Sequence, residues 1–150
     1  MRGVYSVVQN YAAVAAAKYL LTITAPTDKV VEIISASITN ASNETNEQLI
    51  ATIQRTTGAG TGTNSTASKH EVGDQAAGST VKNTITVDPT PTANTEIGME
   101  GFSSLAGWYF EPTPEERPII GAGLFAAIRI TTATFTALDL QVRLTFREIG

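Results

Sequence analysis

The chain has 150 residues, of which 42% are hydrophobic and 16% charged, with a formal net charge of −4 and no cysteine. That length fits one domain burying roughly 70% of its unfolded surface and is too short for two ordinary ones. The ten Lys and Arg are spread from Arg2 to Arg147 without a basic run, which removes the main attraction for nucleic acid, and the missing cysteines exclude a disulfide framework and a thiolate metal site.

A typical soluble domain carries about 25% charged residues, so the low charge predicts that part of this surface is covered by copies of the chain or by a larger partner. No apolar run reaches the ~18 residues of a membrane span. The Ala-rich YAAVAAAKYLL is short, is interrupted by Lys18 and lacks the cleavage context of a signal peptide. A soluble chain made in a cytoplasm is the expectation.

In chain order, strand-like runs rich in Val, Ile, Thr and aromatics occupy residues 4–9, 19–25, 29–39, 48–56, 80–88, 107–111, 124–131 and 139–148. Eight such runs in one domain predict an all-β jelly roll or β-sandwich spanning residues 1–150. Residues 10–18 have alanines that suit a helix, yet they lie between two strand-like runs and are assigned to strand or turn. In the last run Leu140, Val142, Leu144 and Phe146 point one way; Gln141, Arg143, Thr145 and Arg147 point the other, onto a face that is wet or covered by a partner.

Between the strands, Pro26 and Asp28 mark a turn, residues 40–47 form a polar connection with room for one helical turn, and residues 88–96 are held extended by prolines. The longest predicted loop, about 57–79, opens on the Gly-Thr stretch QRTTGAGTGTNST. A phosphate cradle would need a helix start after the glycines and a Lys at fixed spacing. Here Asn64, Ser65 and Thr66 follow Gly62, Lys69 comes too late, and no amphipathic helix is in sight. The stretch reads instead as a surface loop, with glycines for positive φ and close backbone approach and threonine hydroxyls for uncharged hydrogen bonds.

Candidate chemistry is sparse. His70, the single histidine, has Glu71 and Asp74 nearby, a set that reads more simply as a solvated loop than as a metal site. No serine sits in a nucleophile elbow, and the adjacent Glu115 and Glu116 diverge rather than flank a bond. No catalytic residue, metal ligand or cofactor is assigned. Trp108, Tyr109 and Phe110 could stack sugars, but the plainer expectation is that two pack in the core and the third covers an edge. Pro112, Pro114 and Pro118 stiffen a segment that displays Glu115, Glu116 and Arg117, which suits an interface. Three glycosylation sequons, at Asn40, Asn43 and Asn64, read as chance in a Thr- and Asn-rich chain.

Taken together, AAAKYLLTITAPTDKVVEIISASI, EQLIATIQRTTGAGTGT, GWYFEPTPEERPII and the terminal LTFREIG resemble, in that order, a family of small virion proteins of tailed bacteriophages, similar to capsid decoration (cement) proteins. The resemblance runs from about Val4 to Gly150 and is least distinctive over 64–100. It implies a jelly-roll or tulip-like β domain on the outside of the expanded head, a homotrimer, and the major capsid protein as partner. It implies neither nucleic acid nor membrane as partner. Interface residues expected on this reading are Arg55, Thr57, Gly58, Gly60 and Thr61 in the Gly-Thr loop, and Trp108, Glu115, Glu116 and Arg117 in the aromatic and proline-rich segment. Tyr5 and Val7 join them in an N-terminal strand or arm, residues 1–9, that adds an edge strand to a neighbouring sheet. Head-fibre or tail roles, and a carbohydrate-binding module using Trp108 and Tyr109, are the alternatives.

Overall fold

The structure is a computed structural model that describes residues 3–42 and 46–150. The described chain is nearly all β, and its ten strands belong to one curled sheet that forms a half-barrel. The axis of this sheet is a ribbon of two unusually long strands. β1 (Val4–Thr24) runs antiparallel to β10 (Phe125–Ile149), from Val4↔Arg147 to Thr24↔Phe125. The predicted runs 4–9 and 19–25 are thus one strand, as are 124–131 and 139–148, and residues 10–18 are extended.

The ribbon carries different neighbours along its two halves. On β10, the C-terminal half pairs with β2 (Val30–Asn40) and the N-terminal half with β3 (Gln48–Thr56). On β1, Thr22–Thr24 pairs with β6 (Thr80–Val87), whose other side holds β4 (Thr61–Ser65), while Tyr5 and Ser6 pair with the short β5 (Ser68–Lys69). Outside these, β7 (Pro91–Ser103) adds to β3, and β8 (Trp108–Phe110) and β9 (Ile119–Ile120) add to β2. The sheet therefore has two wings, joined where the ribbon crosses between them.

The crossing is made by irregular pairing. Register shifts fall at Tyr11/Val14, Val14/Ala16, Ala16/Lys18 and Tyr19/Leu21, and such bulges bend a strand and sharpen its twist. Ala13 adopts φ 51°, and its N–H donates to the Asp139 carboxylate at 2.9 Å. The far ends of the ribbon come back together: Glu148, in one wing, accepts from the N–H (2.7 Å) and the hydroxyl (2.8 Å) of Ser79, next to Thr80 of the other, and pairs with Lys29 at 3.4 Å.

One continuous core fills the space between the wings. Leu138, Leu140, Val142, Leu144 and Phe146 of β10 meet Tyr5, Val7, Leu20, Leu21 and Ile23 of β1, with Val31, Ile33 and Ile38 of β2 and Leu49 and Ile53 of β3. Burying each large side chain contributes about 1.5–3 kcal/mol. Tyr11 ties the wings by its hydroxyl, which donates to the Leu20 carbonyl and accepts from the Thr84 N–H at 3.0 Å. Thr84 itself sits at φ 46°.

Several expectations are corrected. The loop 57–79 contains β4 and β5, and residues 91–103, expected in part as a proline-rich connection, form β7. Of the polar connection 40–47, residues 43–45 lie outside the described residues, as does the Asn43 sequon.

Candidate interaction surface

The outer face of the wing built from β1, β10, β2 and β8 presents the side chains that strand alternation turns away from the core. Direct cross-strand partners set Val8, Arg143, Ser37 and Tyr109 in one row. Beside it lies a second row, Asn10, Gln141 and Thr39. Tyr109 is 57% exposed and Val8 51%, so the row offers an aromatic ring, an aliphatic side chain, a hydroxyl and a single charge. The buried Glu32 borders this face, held by Arg147 at 2.6 Å and, more loosely, by Arg117 at 3.9 Å. Two arginines neutralise that carboxylate, which would otherwise be costly to bury.

Trp108, Tyr109 and Phe110 divide as strand alternation requires. Trp108 is buried and donates its indole N–H to Glu100 at 3.2 Å, Tyr109 faces out, and Phe110 packs against the core edge, stacked on Trp108. Trp108 therefore offers no stacking face to a partner. The proline-rich segment follows, with Pro114–Glu116 in one 3-10 turn and Thr113 donating to Glu116 at 3.1 Å. Glu115 and Glu116 are exposed, and Arg117 is turned to Glu32. Between β7 and β8, which do not pair, an open groove of about 470 Å³ runs past Tyr109, Phe110, Glu111 and Glu116.

The Gly-Thr stretch forms a tight corner rather than a cradle. Its carbonyls accept from within the stretch and from outside it: Thr56 Oγ1 donates to Gly58 O (2.6 Å), Thr22 Oγ1 to Ala59 O (2.9 Å) and Lys82 Nζ to Gly60 O (3.1 Å). Gly60 has φ 65°, and a Cβ there would stand 2.4 Å from the Val87 carbonyl; a Cβ on Gly62 would stand 2.6 Å from the Asn83 carbonyl. These two glycines let β4 lie close against β6. Thr57 and Thr61 remain exposed, and Arg55 reaches across to donate to the Ile119 carbonyl at 3.1 Å, joining this corner to the end of the proline-rich segment.

Tyr5 and Val7 lie in the core, not on a free arm. Residues 4–9 pair with β10 along their length. Burial pushes the Tyr5 phenol above its ordinary pKa, and the nearby Glu148 and Asp74 carboxylates push it the same way. His70 is exposed; its N–H donates to Val4 O at 3.0 Å, while Asp74 accepts from Gly3 N at 2.7 Å. The 70–74 segment thus closes the start of β1, and among the described residues no group of three or more His, Asp or Glu side chains is placed to hold a metal. No helix among the described residues is long and apolar enough to cross a membrane. Comparison of the chain with family models, curated proteins and solved structures finds no match.

Proposed function

We propose that the protein is a structural component of a tailed-phage virion, a decoration protein that binds the outside of the expanded head and clamps major capsid subunits together. The observation that carries this reading is the broad, weakly charged outer face with Tyr109, Val8 and a field of hydroxyl and amide side chains. Such a face can bury area against another protein without the cost of stripping water from many charges. The ordered resemblance of its segments to small phage virion proteins supplies the class of partner. A β-sandwich or jelly-roll description is the finer form of the half-barrel on this reading, since both wings pack onto one core. A homotrimer multiplies weak contacts into avidity on the capsid lattice.

The test is mass in solution by light scattering, followed by co-sedimentation with expanded heads. A trimer that sediments with heads and raises the temperature at which they release DNA supports the proposal; a monomer that ignores heads removes it. Tyr109→Ala on the outer face should weaken head binding while leaving the fold intact. A second reading, a carbohydrate-binding module, draws on the groove where the exposed Tyr109 lies beside Glu111 and Glu116. With Trp108 buried, Tyr109 alone would supply stacking, and retention on a polysaccharide column lost in Tyr109→Ala would favour this reading.

A further inference from the structure

Away from that face, a pocket of about 260 Å³ opens beside the bend of the ribbon, lined by Lys18, Tyr19, Asp88, Arg129 and neighbouring residues of β1 and β10. Arg129 is held there with unusual care. Its guanidinium stacks over the Tyr19 ring, 5.2 Å from the centroid, Nη1 donates to the Tyr19 hydroxyl at 3.0 Å, and Nη2 donates to Gln54 Oε1 at 2.7 Å. Gln54 is itself fixed, buried, with its amide nitrogen donating to Thr92 O and to Glu96 at 3.0 Å each.

Every group that positions Arg129 directly is neutral. Unlike Arg117 and Arg147, it forms no ion pair with any described carboxylate; its buried Nε, like theirs, has no hydrogen-bond partner among the described residues. Lys18, on the same pocket wall, also has no ion pair among the described residues and rests over the Tyr11 ring at 5.4 Å. Arg147 and Arg117 show the contrast: both face the buried Glu32 carboxylate, at 2.6 and 3.9 Å. A planar guanidinium fixed in orientation, left with its charge and a buried donor unspent, is suited to a planar two-oxygen anion. Buried donors are seldom left unpaired.

We infer that this pocket binds a monoanionic carboxylate, with Arg129 as its fork and Lys18 as a second positive charge. Asp88 at the wall leaves one net positive charge in the pocket, which a single carboxylate neutralises. The volume admits an acidic side chain of a partner protein or a small sugar acid, and the carboxylate is the chemistry they share.

The test is a titration of the whole ¹⁵N-labelled protein with acetate at low ionic strength, following the Arg129 Nε–H resonance, against sodium chloride at matched ionic strength. A saturable shift at roughly millimolar acetate, absent with chloride, is expected. Arg129→Lys keeps the charge but loses the fork and should weaken binding by roughly tenfold. Asp88→Asn, an exposed change with little bearing on folding, should strengthen it by roughly two- to fivefold. Tighter binding of N-acetyl-glutamate amide than of glucuronate points to a protein side chain, and the reverse order to a sugar acid. Shifts that stay linear in acetate and match those of chloride, or an affinity unmoved in Asp88→Asn, overturn the inference. None of these readouts depends on phage heads, so the pocket and the decoration reading stand or fall separately.

Discussion

The two halves of β1 make different use of the same partner strand. Residues 4–11 pair one-to-one with 140–147 without a shift, whereas residues 12–20 lose register four times before the ladder settles again at Leu21↔Ile128. In the first half, large side chains alternate in and out, and a slip of one residue would turn Tyr5, Val7 and Phe146 out of the core. In the second, alanines offer no volume by which one register is preferred over another. There the backbone is placed by polar groups instead, the Asp139 carboxylate at Ala13 and the Tyr11 hydroxyl at Leu20.

This contrast predicts effects of different size. Phe146→Ala, in the regular half, should cost about 3–5 kcal/mol, read from the urea midpoint, because a ring with no exposure is replaced by a cavity. Tyr11→Phe, at the junction, should cost about 1–3 kcal/mol by leaving the Thr84 N–H and Leu20 carbonyl without their partner.

Tyr11 also gives the junction a pH signature. Burial raises its pKa, and the hydrogen bond from Thr84 opposes part of that rise. The folded chain thus holds the phenolic proton more tightly than the unfolded chain, so this contribution is complete below the ordinary tyrosine value of about 10 and is lost as pH rises through the folded value. Stability measured by urea from about pH 8 to 11 should fall at the alkaline end, and less steeply in Tyr11→Phe. Tyr5, shifted the same way, keeps the variant from becoming flat.

Smaller effects belong to the bend. Asp139→Ala should cost about 1 kcal/mol through the loss of one exposed hydrogen bond to Ala13. Ala13→Gly should stabilise by about 0.5 kcal/mol, the relief of a positive φ outweighing the added chain freedom. A destabilising Ala13→Gly would mean that the methyl group, not the bulge, positions this turn of the ribbon.

The same contrast explains what could be read from the sequence. Alternation in 139–148 identified the core face of β10, although Thr145, read as outward, is buried beside the register shift at Thr145/Phe146, and Trp108, Tyr109 and Phe110 divided as expected, two inward and one out. The union of the predicted runs into single long strands was hidden because 12–17 is alanine but for Val14, a composition depleted in strands, and 131–137 is threonine and alanine around a single Phe135, with no sustained apolar alternation. Those segments are extended because each is the other's partner across the ribbon. β7 escaped notice for a related reason: Pro91, Gly98 and Gly101 break its pattern, which an edge strand paired only with β3 tolerates. Placement of Tyr5 and Val7 in an arm followed from their position early in the chain, while their burial depends on strands more than a hundred residues away. The Arg129 cluster was out of reach altogether, since its bonds to Tyr19 and Gln54 span 110 and 75 residues.

The ribbon at the heart of the sheet joins the first strand to the last, and this sets the order in which the molecule can form. Until β10 has left the ribosome, β1 lacks its principal partner, β2 and β3 have no common strand to lie against, and most of the apolar face of each is open to water. Closing contacts over so long a stretch of chain is slow, so folding on the scale of milliseconds to seconds is expected. Through that interval the exposed edges of β2 and β3 are open to strands from other copies, and high concentration during refolding should divert the chain into aggregates.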